Sequence, residues 1–336
     1  MLSNVITGFI VISSLLQVPL PVAMNAGVYP VPTVTSDNTK QTEQVTQKSE
    51  DFEWRVLQQM HASEQASAPI KKSQQVDPAI GARAAILIDG KSQHVLWQKN
   101  PDAQLPIASI TKLMTALVWF DHQPVEGLSH IHTFAPEEDQ PDGKELNLPN
   151  GSQLSTADLL KGAIVGSNND MIVGLAHTTP LPDAEYIAAM NEKAKAIGMQ
   201  HTTFADQTGL SAGNIATVSD VARLAQVAFW NDTIATPAGQ AEHRQETLDG
   251  AFKNTIYTTN KLLYDRDIDV IAGKTGYITQ AGYCVVVKVR VPSASGGAED
   301  DSVMIVILGA GSDDARFTQA KKLAEWAFTE FDWSNK

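Results

Sequence analysis

The sequence predicts an α+β fold in which an antiparallel five-stranded sheet packs with helices. Three observations predict it. Apolar β runs sit at both ends of the folded part, two near its start and three near its end. A block of helix-period segments lies between them, and one more such segment closes the chain. Two early and three late strands complete one sheet only if distant segments meet, an order that suits helices on one side of it. At 336 residues the chain allows one large domain or two ordinary ones and easily buries a substantial core.

Each element has its own signal. Ala84 to Asp89 (AAILID) is an apolar run stopped by Gly90, and Val95 to Gln98 (VLWQ) follows, so the two read as a hairpin. Pro106 precedes an apolar-periodic helix from Ser109 to Phe120. Ser155-Thr156-Ala157-Asp158 is a capping box ahead of Leu159, Leu160 and Ile164. Pro182-Asp183 opens a helix with Tyr186, Ile187, Met190 and Ala194 on one face, and Gly198 stands where a C-terminal cap belongs. Val218 to Phe229 repeats the helical spacing at Val221, Leu224, Ala225 and Ala228. After Asp265 the period changes, and Val270-Ile271-Ala272, Tyr283 to Val291 and Val303 to Leu308 read as strands. Thr318 to Phe331 closes as a helix, after which the chain leaves no room for a second C-terminal domain.

Ahead of this domain, Val5 to Leu16 (VITGFIVISSLL) is an apolar run of signal-peptide length, too short for a spanning helix, with small residues Ala23 and Ala26 where a cleavage site belongs. It lacks the usual preceding positive charge, because the first Lys is Lys40 and the first Arg is Arg55. The organisation read from the sequence is a signal peptide or N-terminal anchor at 1–26, a polar linker at 27–79 and the folded domain at 80–331. The linker is rich in Thr, Gln, Ser, Lys and Glu with Pro30, Pro32 and Pro69. Inside it, Phe52, Trp54, Val56, Leu57 and Met60 form a short amphipathic stretch between Asp51 and Gln65.

Composition excludes several functions. The 25 basic and 38 acidic residues give a net charge of −13, with no basic surplus to neutralise phosphates, so nucleic acid is not an expected partner. One cysteine, Cys284, rules out an intramolecular disulfide framework and any multi-cysteine metal site. The eight histidines show neither His-x-x-x-His nor His-Glu-x-x-His spacing, which argues against a zinc hydrolase. Cys284 reads as a core strand residue, His177 and His201 as helix-end or loop residues, and Glu137, Glu138, Asp139 and Asp142 as a solvated acidic loop.

Three short motifs carry chemistry. Ser109-Ile110-Thr111-Lys112 has the form S-x-x-K, and on a helix residues i and i+3 share a face, so the Lys amine reaches the Ser hydroxyl. A Ser at the start of a helix also has its backbone N–H free for an anion. By itself the pattern is weak, since about one occurs by chance in a chain of this size. Ser167-Asn168-Asn169, of form S-x-N, places a hydroxyl able to relay a proton and an amide able to hold a peptide, although Ser at such a position often only caps a helix. Ser36-Asp37-Asn38 also fits the form but precedes the first motif in the linker. Lys274-Thr275-Gly276 supplies a cation and a hydroxyl for a carboxylate and a Gly that lets a substrate backbone approach. It is expected roughly a tenth of a time per chain. The three occur in the order shared by penicillin-binding proteins and class A β-lactamases.

The wider segments resemble the low-molecular-weight penicillin-binding proteins, the D-alanyl-D-alanine carboxypeptidases and endopeptidases of the serine β-lactamase-like superfamily. The resemblance is carried by Pro106 to Ala116 (PIASITKLMTA), Leu159 to Asp170 (LLKGAIVGSNND), Met190 to Gly198 (MNEKAKAIG), Thr208-Gly209-Leu210, Thr217 to Ala222 and Gly273 to Cys284 (GKTGYITQAGYC). It spans about Ile80 to Phe328 and implies a β-lactamase/transpeptidase-like fold, with the sheet joined to a mostly helical subdomain.

The resemblance also implies roles. Ser109 would attack the penultimate D-Ala carbonyl of a peptidoglycan stem peptide and form an acyl-enzyme. Lys112 would take the Ser109 proton, and Ser167 would pass one to the leaving D-Ala. Asn169 would orient the peptide and the Lys network, while Lys274 and Thr275 would hold the terminal carboxylate beside Gly276. The backbone N–H groups of Ser109 and Tyr277 would form the oxyanion hole. β-Lactams would acylate the same Ser109, with no metal or cofactor. Export, to the periplasm or another extracytoplasmic site with an N-terminal membrane tether as one form, goes with such a substrate. Many family carboxypeptidases carry a further β-rich domain and a C-terminal amphipathic anchor, neither of which follows here, so a DD-endopeptidase cutting crosslinks is the alternative. A class A β-lactamase would need Glu-x-x-Leu-Asn after the second motif, whereas Glu145-Leu146-Asn147 precedes it with the wrong spacing. A non-catalytic penicillin-sensing or wall-binding module would show loss of a motif residue, and none is lost.

Overall fold

The run AAILID forms strand β1 (Ala84–Asp89) and is buried at all six positions. A strand is buried on alternate residues when one face is covered and throughout when both are. Both are covered here. β1, β2 (Val95–Lys99), β3 (Val270–Ile278), β4 (Gly282–Arg290) and β5 (Ser302–Ala310) make one antiparallel sheet in the order β3-β4-β5-β1-β2. In the β5–β1 pairing Val306 faces Ile86 and Ile305 faces Leu87. This computed structural model describes residues 56–334 apart from 57, 60–61, 64, 73–75, 142, 144 and 299. The 1–26 segment, Ser36-Asp37-Asn38 and the residues Phe52, Trp54, Leu57 and Met60 of the amphipathic stretch lie outside the described residues.

Ile86, Ile88, Val286, Met304, Val306 and Leu308 point to one face and join a core built from the central helices. These are α1 (Lys112–His122), α2 (Thr156–Val165), α3 (Asn169–His177), α4 (Asp183–Ala196) and α5 (Val218–Phe229). Ala85, Leu87, Val285, Val287, Ile305 and Ile307 point to the other face, onto Phe317, Leu323, Ala324 and Ala327 of α6 (Asp313–Glu330). The expectation of helices on one side is therefore corrected: α6 covers the second face, as the unbroken apolar run of β1 requires.

Local signals place the helix ends. Ser155 accepts from the Asp158 N–H at 3.2 Å and caps α2, and Gly198 takes a left-handed φ of 84° after α4. Ser312 caps α6, which begins earlier than the apolar spacing indicates. The hairpin Glu242–Glu246 with Lys253–Tyr257 has no counterpart in the sequence reading, because its residues are polar and backbone pairing carries it. Two points of the 27–79 stretch dock on the domain: Val56 is buried in the helical-side core, and Ile70–Lys71 pairs with Phe331–Asp332. Among the described residues no helix is long and apolar enough to cross a membrane.

Candidate active site

Ser109 lies in a 3-10 turn, Ala108–Thr111, that runs directly into α1. The first turn predicted as α-helix is thus tighter. In a 3-10 turn residues i and i+3 eclipse, which lays the Lys112 side chain over Ser109, Nζ to Oγ 3.0 Å. Ser109 is half-buried and Lys112 fully buried. The turn is entered through Ala108 at φ 48°, a left-handed conformation that costs a non-glycine residue about 1–2 kcal/mol. Close packing holds it there. A Cβ on Gly209 would stand 2.1 Å from the Ala108 carbonyl oxygen, and one on Gly276 would stand 2.6 Å from the Ile107 oxygen and 3.1 Å from the Ser109 nitrogen. The Gly of the third motif therefore lets the edge strand β3 lie against the Ser109 turn.

The Lys112 amine has two further oxygens in reach, Asn169 Oδ1 at 2.6 Å and the Thr208 carbonyl at 2.7 Å. Asn169 is the first residue of α3. Thr208 sits in a turn organised by Asp206, whose carboxylate accepts from the Thr208, Gly209 and Ser211 N–H groups, each at 2.6 Å. Burial pushes the Asp206 carboxyl up, but the Thr208 hydroxyl and these N–H groups outweigh it and hold the group below its ordinary range.

Lys274 Nζ donates to Ser167 Oγ at 2.7 Å and to the Thr275 carbonyl at 3.0 Å. Ser167 does not cap α3, a position held by Asn168. It stands at φ 61°, a second strained non-glycine residue of the candidate site, with its side chain bonded to Lys274. Thr275 Oγ1 lies 2.5 Å from Thr259 Oγ1. Tyr277 is half-exposed, its ring stacked on Tyr283 at 4.4 Å. The structure thus joins Ser109, Lys112 and Asn169 in one hydrogen-bonded string and Ser167 and Lys274 in another, with Gly276 against Ser109. The Tyr277 side chain belongs to neither string.

Several residues carry contacts that their sequence reading did not assign. Thr208 contributes through its backbone, which no side-chain motif signals, although an Asp two residues before Thr-Gly is a turn signature. Asp139 is not part of a solvated loop. It is buried, accepting from His132 Nε2 at 2.7 Å and His177 Nδ1 at 2.8 Å, and His177 is the last residue of α3. Asp142 lies outside the described residues. Cys284 is buried in β4 and burial pushes its thiol up to about 11. Among the described residues no group of three or more His, Cys, Asp or Glu side chains is placed to hold a metal ion.

Comparison with known proteins agrees with this architecture. The chain is 31% identical to a D-alanyl-D-alanine endopeptidase of Pseudomonas aeruginosa, over 79% of this chain and 83% of that protein. It is 31% identical to an Escherichia coli endopeptidase of the same description over 75% and 79%, and to E. coli D-alanyl-D-alanine carboxypeptidase DacC over 76% and 63%. Its fold is that of a Streptomyces DD-transpeptidase, with a TM-score of 0.69 at 23% identity, covering 76% of this chain and all of that one. Residues 70–311 match the family model described as D-alanyl-D-alanine carboxypeptidase, and the chain belongs to that family.

Proposed function

We infer that the protein is a serine DD-peptidase that acts on peptidoglycan stem peptides as a D-Ala-D-Ala carboxypeptidase through an acyl-enzyme at Ser109. The observation that carries this reading is the setting of Lys112, 3.0 Å from Ser109 Oγ with Asn169 Oδ1 and the Thr208 carbonyl also in reach. A neutral amine has two N–H donors and one lone pair. In that form the Lys112 amine can donate to the two carbonyl oxygens and take the Ser109 hydroxyl proton on its lone pair.

The rest of the cycle follows from the second string. Ser109 Oγ attacks the penultimate D-Ala carbonyl, and charge gathers on its oxygen. The backbone N–H groups of Ser109 and Tyr277 stabilise that charge. Ser167, hydrogen-bonded to Lys274, relays to the departing amine the proton that Lys112 took from Ser109, and Lys274 with Thr275 draws in the terminal carboxylate. Water then releases the shortened peptide. A β-lactam acylates the same hydroxyl. The substrate lies outside the cytoplasm, so the apolar segment Val5 to Leu16 serves export, as a cleaved signal or a retained tether.

A second reading, DD-endopeptidase, uses the same residues. It is favoured by the two endopeptidases, of which the chain covers 83% and 79%, against 63% of carboxypeptidase DacC. Chromatography of products separates the two. Free D-Ala from a pentapeptide identifies the carboxypeptidase, monomers from crosslinked dimers identify the endopeptidase, and neither product refutes a DD-peptidase.

A further inference from the structure

Arg316, near the start of α6, is buried although no motif contains it. Its Nη1 donates to the Gly276 carbonyl at 3.0 Å and the Cys284 carbonyl at 3.1 Å, and its Nη2 pairs with Asp313. Its guanidinium lies over the rings of Phe317 at 4.7 Å and Tyr283 at 5.5 Å. Gly276 and Cys284 are cross-strand partners in β3 and β4, and the β4–β5 register is broken between Tyr283 and Val285, at Cys284. The guanidinium fork fits that irregularity, and Asp313 and the two rings fix its plane.

The Gly276 carbonyl belongs to the same peptide unit as the Tyr277 N–H. The described chain has no cis peptide bonds, and in a trans peptide the C=O and N–H point in opposite directions. A cation bound at the carbonyl end therefore turns the Tyr277 N–H away from β4. On the edge strand of the sheet, that direction is the open edge, and the Ser109 turn lies close by, packed against Gly276. A charge-assisted bond at the oxygen also polarises the amide, making its N–H a stronger donor.

We propose that Arg316 is a positioning residue that orients and polarises the Gly276–Tyr277 peptide so that its N–H receives the oxyanion formed at Ser109. This rests on the serine DD-peptidase reading. Arg316 touches no substrate. It acts through the peptide plane, and it explains why an expensive buried guanidinium stands behind the third motif.

The test compares Arg316→Lys and Arg316→Met with wild type in the full chain. Each is acylated with benzylpenicillin, followed by stopped-flow, and the ester carbonyl of the acyl-enzyme is read by infrared difference spectroscopy. Losing one oxyanion donor outright costs about 10²–10³ in rate, so a mis-set donor is expected to slow acylation by about 10–100-fold. The carbonyl band moves to higher wavenumber as its hydrogen bonds weaken, while the KM for a D-Ala-D-Ala peptide changes little. Arg316→Lys keeps the charge without the fork and recovers only part of the rate. Should Arg316→Met fail to fold, the Lys variant carries the test alone. Unchanged band and rate in a folded variant overturn the proposal. A wild-type protein that penicillin does not acylate overturns the DD-peptidase reading instead, and the two failures are distinct.

Discussion

Lys274 on the edge strand reaches Ser167, between helices α2 and α3, Nζ to Oγ 2.7 Å, across 107 positions of sequence. That bond ties the sheet to the helices at the candidate site. It aims a hydroxyl that stands at φ 61° and a buried amine at the same small space.

Replacing Ser167 separates strain from chemistry. Ser167→Ala keeps the left-handed strain and removes the hydroxyl, whereas Ser167→Gly also removes the strain. Both variants are expected to lose about 10²–10⁴ in kcat on a D-Ala-D-Ala peptide. Ser167→Gly melts at a temperature no lower than Ser167→Ala. Equal activity in Ser167→Ala and wild type would remove the hydroxyl from the reaction.

Lys112→Met deletes the amine that faces Ser109 Oγ, Asn169 Oδ1 and the Thr208 carbonyl. Acylation by penicillin is expected to fall by about 10²–10⁴ while the circular dichroism spectrum is retained. Wild-type acylation rates in a folded Lys112→Met would show that another group takes the Ser109 proton.

Two glycines give a matched pair. Gly209 and Gly151 both have φ near 80–90°, at 91° and 81°. A Cβ on Gly209 would strike the Ala108 oxygen at 2.1 Å, while one on Gly151 meets nothing within 4 Å. Gly151→Ala is expected to cost about 1 kcal/mol and leave acylation intact. Gly209→Ala costs more and slows acylation, because the Ser109 turn must shift. Thermal melts and acylation rates of the two variants check this, and equal losses would mean that the clash is relieved elsewhere.

The Asp139 cluster predicts a pH-dependent contribution to stability. Burial pushes the Asp139 carboxyl up, but the hydrogen bonds from His132, His177 and the Ala135 N–H outweigh it and hold the group well below its ordinary range. His177 is raised, first by its hydrogen bond to Asp139 and further by the charges of Asp139 and Asp183, against the opposing effect of burial. A depressed carboxylate stabilises above its unfolded value and loses this as pH falls through the folded one. A raised imidazole stabilises below its unfolded value of about 6.5 and loses this as pH rises through its higher folded value. Both contributions are present near pH 6. Asp139→Asn is therefore expected to lower Tm most near pH 6, with the gap to wild type narrowing as pH rises beyond about 6.5. A gap constant from pH 6 to 9 would contradict the pairing.

The fold was legible where burial and period coincide. Val218–Phe229 begins and ends where the apolar spacing says, and Ser155 caps α2 as its capping box indicates. The sheet order needed contacts between β1 and β5, which a continuous apolar run suggests but cannot pair. The candidate site was legible where side chains carry it: hydrogen bonds join Ser109, Lys112 and Asn169 in one string and Ser167 and Lys274 in another. It was hidden where the backbone carries it, as with the Thr208 carbonyl and the peptide held by Arg316. Away from the site, the buried state of Asp139 was hidden, because an acidic run reads as solvated until His132 and His177 close on it from other elements.

The most direct measurement incubates the protein with fluorescent penicillin beside Ser109→Ala and weighs both by intact mass spectrometry. The account predicts a single persistent adduct on wild type and none on the variant. An adduct retained by Ser109→Ala, or hydrolysed antibiotic with no adduct on wild type, would contradict it.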